Sequence, residues 1–189
     1  MDRSLRVKLG WMTIFGIAMA YLEAAVVIYL RQLFWPTGSE IISLESLQPM
    51  PPFLSAVEIG REASTSVMLA SLRLAVGANG WQRFAFFLWL FGLWDIFYYV
   101  WLYLLSGWPP SLFTTDLLFL IPVPWIGPVV APILVSFTMM MFALAILHTP
   151  QIEGARRMWR YWFLALVGAW LVFSSFTIAN YGATANLWN

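Results

Sequence analysis

Cysteine is absent and histidine occurs once, which excludes disulfides, thiolate metal sites, cysteine nucleophiles and bis-histidine haem ligation by a single chain. Charge is scarce as well. Only 10% of the 189 residues are Asp, Glu, Lys or Arg, against roughly 25% in a soluble domain. The net charge of +1 leaves no basic stripe to neutralise phosphates, so no nucleic-acid partner is expected. What fills the space is apolar: 61% of residues are hydrophobic and 18% aromatic. Lipid, rather than water, solvates such a surface.

The hydrophobic runs predict an all-α integral membrane protein, a single transmembrane domain over residues 1–189. Five helices are expected, at about 10–35, 53–78, 82–107, 129–148 and 161–181. The basic start and Ala18-Met19-Ala20 resemble a signal peptide, but the apolar run continues well past them, so a retained helix is expected. Pro36, Gly38, Pro49, Pro51 and Pro52 mark an external loop, with a short interfacial helix near 41–47. Residues 108–132 are both apolar and proline-rich. Their Thr114-Thr115-Asp116 predicts an N-cap for one or two helical turns, lying along the outer interface or re-entering it.

Basic residues set the orientation. Arg3, Arg6 and Lys8, then Arg73 with Arg83, then Arg156, Arg157 and Arg160 fall on one side. The N-terminus is therefore expected to be cytoplasmic and the C-terminus external, in a cell (inner) membrane.

Against this background the buried charges stand out, because an ionisable residue at bilayer depth costs roughly 2.5–3.5 kcal/mol and normally faces protein or water. At the 1.5 Å rise of a helix, Glu23 lies about 20 Å and Asp95 roughly 18 Å from the inner ends of their helices, and Glu62 about 14 Å from its outer end. Glu58, Glu62, Thr65, Leu69 and Arg73 share one face of the second helix, with Arg61 beside it. Gly16, Ala20 and Ala24 form a small-residue ridge, with Glu23 at its edge and Arg31 two turns further out. Gly92 permits a close neighbour one turn before Asp95, and Tyr98 and Tyr99 lie one turn after it. The first three helices are thus expected to pack around a polar cluster of Glu23, Arg31, Glu58, Arg61, Glu62, Arg73, Asp95, Tyr98 and Tyr99. Arg31 and Arg61 would neutralise some of the acids.

No catalytic residue is assigned from the sequence. Glu-x-x-His pairs for a di-iron site are missing, and the arginines would compete with a cation for the carboxylates, so no metal is expected. His148 reads as a cap at a helix C-terminus. Met139, Met140 and Met141 point in three directions from their helix and read as packing. Most tryptophans sit at helix ends as an interfacial belt. Mid-helix Trp89, Trp94 and Trp170 are candidates for contact with another subunit, a lipid or a pigment, and no other cofactor is expected. Size, helix count and tryptophan content resemble those of the tryptophan-rich sensory proteins only in general. The Pro-Tyr-x-x-Trp stretch of that family is missing, and no family motif covers the chain.

The first functional expectation is a non-catalytic membrane subunit that packs in and stabilises a larger complex, its partners being the lipid bilayer and other membrane proteins. The alternatives are a small proton- or cation-coupled transporter using the intramembrane acids, and an intramembrane lipid-modifying enzyme with Glu58 or Glu62 as general base.

Overall fold

The computed structural model describes residues 3–34, 51–119 and 125–148, together with Gly168. Within them the order is α1 (Arg3–Phe34), α2 (Pro52–Val76), α3 (Gly80–Ser106), β1 (Thr115–Phe119), β2 (Trp125–Pro128) and α4 (Val130–His148). Of the loop expected at 36–52 all but Pro51 and Pro52, and of the fifth helix expected at 161–181 all but Gly168, lie outside the described residues, as do Trp170 and the Arg156–Arg160 cluster.

Three helices, α1, α3 and α4, are long and apolar enough to cross a membrane, which makes this a membrane protein. At 25 residues α2 has the length, but Glu58, Arg61, Glu62 and Arg73 interrupt its apolar surface. Local chemistry sets the ends. Pro52 opens α2 where a missing N–H costs no hydrogen bond. Asn79 caps α3 by accepting the Gln82 N–H at 3.0 Å, while Gln82 Oε1 accepts from Ala78 N–H at 3.1 Å. Gly107 closes α3 in the left-handed region (φ 73°), donating its N–H to the Tyr103 carbonyl. Helix α1 begins seven residues earlier than expected, at Arg3, because nothing in Arg3–Leu9 breaks a helix.

α3 is the central helix, packed against α1, α2 and α4. It is apolar on all sides, the composition of a helix surrounded by other helices. Apolar burial does not itself drive association in lipid, so close fit and polar pairs decide the arrangement. Gly16 lies against α3, where an added Cβ would meet Leu93 Cβ at 3.4 Å, close to ordinary contact, and Ala20 and Ala24 are fully buried beyond it. Gly92 is what lets α4 approach α3: an added Cβ would stand 2.7 Å from the Ser136 carbonyl oxygen. Trp89 Nε1 donates to Thr13 Oγ1 at 3.0 Å and Trp101 Nε1 to the Ile17 carbonyl at 3.1 Å, tying α3 to α1 at two further levels.

Two expectations need correcting. Thr114–Asp116 does not start a helix: β1 pairs with β2 in an antiparallel hairpin, with Asp116 opposite Gly127 and Leu117 opposite Ile126. Pro122, Pro124 and Pro128 remove donors and bias the residues before them to extended backbone, so the hairpin is the cheaper fold and the chain is not wholly α. Nor do Trp89 and Trp94 face outward. Trp94 is buried against Phe91, ring centroids 5.3 Å apart, and Trp89 is half-buried on its Thr13 bond. His148 caps its helix as expected, with Nδ1 2.8 Å from the Leu144 carbonyl. Met139 packs against the core, Met140 lies over Gly92 and Met141 is exposed.

Candidate functional site

The nine residues singled out in the sequence fall into separate groups rather than one centre. In the first, α2 meets α1. Glu58 and Thr65 lie two turns apart on the buried stripe of α2, and Thr65 meets Glu23, itself 7% exposed. Arg61 ion-pairs with Glu23 and donates from Nε to Glu58 Oε2 at 2.8 Å. Thr65 Oγ1 donates to Glu23 Oε1, so both oxygens of that carboxylate are engaged. Arg61, steadied by Glu58 of its own helix, and Thr65 therefore tie α2 to Glu23 of α1. Glu62 is half-buried within electrostatic reach of Arg61.

The second group closes the other end of α1. Arg31 Nη2 donates to Asp116 Oδ1 of β1 at 3.3 Å, and Tyr99 of α3 donates from its hydroxyl to Asp116 Oδ2 at 3.2 Å. The Arg31 guanidinium also lies 3.7 Å from the centroid of the Trp108 ring, a cation–π contact strengthened by exclusion of water. Burial raises the Asp116 carboxyl to about 6 despite the opposing pull of Arg31 and of the Leu117 and Tyr99 hydrogen bonds. One acid thus joins the hairpin to two helices.

Asp95 forms the third group by itself. It turns away from α1 and α2 towards α4, where Ser136 Oγ donates to Oδ2 at 2.7 Å. No cation faces it among the described residues, since Arg31 and Arg61 are engaged elsewhere. Tyr98 lies between the groups, within electrostatic reach of Arg31, Arg61, Asp95 and Asp116, its ring 4.9 Å from that of Tyr99. Arg73 stands apart at the basic end, 5.2 Å over the Phe87 ring, and its Nε has no hydrogen-bond partner among the described residues.

Sequence reasoning missed Asp116, Trp108 and Ser136 as partners. Asp116 carried a usable signal: it is the sole acid of residues 108–132 and lies at the same end of the bundle as Arg31. Ser136 carried little, being one of two hydroxyls on an otherwise apolar helix.

The outward face of α2 completes the picture. Ala56, Gly60, Ala63, Ser64, Val67 and Ser71 recur at helical spacing and are all exposed. A Cβ added at Gly60 meets nothing, and Ser64 returns its hydroxyl to the Gly60 carbonyl at 2.8 Å. The exposed faces of α1 and α4 are made of Leu22, Tyr29, Leu33, Leu134, Phe137 and Met141, whereas α2 intersperses its small residues with exposed Phe53, Val57, Met68 and Leu74. Bulky side chains suit lipid, whereas small and hydroxylated ones at four-residue spacing suit another helix. No protein-family model matches the chain, and no curated protein or solved structure matches it either.

Proposed function

We propose that the protein is a non-catalytic membrane subunit that packs in and stabilises a larger membrane complex. In this reading five helices cross the membrane, with the Arg3–Lys8 end cytoplasmic and the C-terminus external. The hairpin rests at the outer interface. The observation that carries the reading is the small-residue face of α2, with Ala56, Gly60 and Ser64 four residues apart. The same helix is fixed from behind by Glu23, Glu58 and Arg61, so its outer face is presented in one orientation. Because both carboxylates of that brace are committed to Arg61, neither stands ready as a general base, which favours bracing over catalysis.

Extraction from native membranes in mild detergent, followed by native electrophoresis, tests this. The wild-type chain should migrate within a larger assembly, and Gly60→Leu should release it while leaving the chain folded. A wild-type chain that runs as a stable solitary monomer would contradict the reading. A second reading, proton-coupled transport, is favoured by Asp95 alone, a carboxyl in a membrane-spanning helix with no facing cation among the described residues. It requires proton uptake by reconstituted vesicles that Asp95→Asn abolishes.

A further inference from the structure

At the basic end, α1 and α2 diverge and leave an open groove of about 620 Å³. Its walls are apolar: Trp11, Met12 and Phe15 of α1 face Leu72 and Val76 of α2, and the one charged lining residue is Lys8. Lys8 Nζ donates to the Val76 carbonyl at 3.1 Å, which holds the ammonium at the groove mouth. An ammonium has three N–H donors, so two remain for another acceptor. From Lys8 to Phe15 the groove runs about 10 Å along α1, or roughly two-thirds of the hydrocarbon depth of one leaflet. Trp11 lies one turn in from Lys8 and is 70% exposed, at the level where aromatic side chains meet headgroups.

We propose that this groove holds one acyl chain of an anionic phospholipid, with Lys8 binding the headgroup phosphate. Charge complementarity selects the ligand: a cation at the mouth and an apolar wall below it match an anionic headgroup and its chain. The proposal does not depend on the subunit reading, since the groove and the α2 packing face are different surfaces.

Native mass spectrometry of the full chain tests it, in mild detergent with phosphatidylglycerol and phosphatidylcholine of identical chains. The wild type should retain the anionic adduct roughly fivefold over the zwitterionic one, the weight of one lysine at an anionic headgroup. Lys8→Gln should bring that ratio to about one, while Lys8→Arg and Arg6→Gln should preserve it. Ala75→Trp, which fills the groove and leaves Lys8 in place, should reduce both adducts. Three results would overturn the proposal: an unchanged ratio in Lys8→Gln, an undiminished adduct in Ala75→Trp, or a wild-type ratio of about one.

Discussion

Replacing Glu23 by glutamine and Asp95 by asparagine makes the same chemical change at two similar depths, yet the two changes should differ sharply in consequence. At Glu23, one oxygen accepts from Thr65 and the other meets the Arg61 guanidinium. Glutamine keeps the first contact and turns an amide N–H₂ towards a donor-only partner in place of the second. Removing one partner of a buried ion pair costs about 3–5 kcal/mol. Arg61 retains Glu58 at 2.8 Å and its side chain is 24% exposed, which lowers the expected cost to roughly 1.5–3 kcal/mol, the value of one charge-assisted hydrogen bond. At Asp95 asparagine still accepts from Ser136, and among the described residues no facing cation loses its counter-charge. The expected change there is neutral or stabilising, because a carboxyl without a facing cation loses its charge. Reversible unfolding of the purified chain in mixed detergent micelles, followed by tryptophan fluorescence and circular dichroism, measures both. The double variant Glu23→Gln with Arg61→Gln should show a coupling energy of roughly 1–3 kcal/mol between the two sites. Equal losses for the two single variants, or additive effects at 23 and 61, would refute the assignment of Arg61 to Glu23.

Other outcomes follow from the remaining contacts. Asp116 titrates near 6 in the folded protein, above its ordinary 3.8, so the folded state binds the proton more tightly. Stability should therefore rise as pH falls from 7 through 6 towards 4, and Asp116→Asn should remove that rise in thermal unfolding curves. Gly92→Ala places a Cβ 2.7 Å from the Ser136 carbonyl and should cost about 1–3 kcal/mol in the same unfolding assay. Arg31→Lys keeps the charge facing Asp116 but loses the planar stack on Trp108, for an expected loss of about 0.5–1 kcal/mol.

The polar stripe of α2 was legible because helical periodicity fixes which residues share a face, and Glu58, Thr65 and Leu69 are indeed its buried positions. The Gly16-Ala20-Ala24 ridge was legible for the same reason. Periodicity does not say which neighbour a face meets. On α3, apolar all round, nothing in the sequence distinguishes the α1 side from the α4 side, so Asp95 matched Glu23 in depth but faces Ser136 instead. The split of the expected single cluster follows from that rotation. Arg31 was placed at the right end without its partner, because Asp116 reaches it only once the hairpin folds back over α1 and α3. That hairpin was hidden in Leu117–Phe119, an apolar run that suits strand and helix equally; the three prolines around and beyond it were the stronger evidence.

The face of α2 that carries Gly60 and Ser64 permits the most direct test, since the chain contains no cysteine to remove first. A photo-crosslinker attached at Gly60→Cys or Ser64→Cys, and at Leu134→Cys on α4 as a lipid-facing control, can be activated in native membranes. The expected result is a discrete adduct with a second polypeptide from both α2 positions and lipid adducts alone from position 134. Lipid adducts alone at 60 and 64, or links confined to the chain's own residues, would contradict the proposed subunit role.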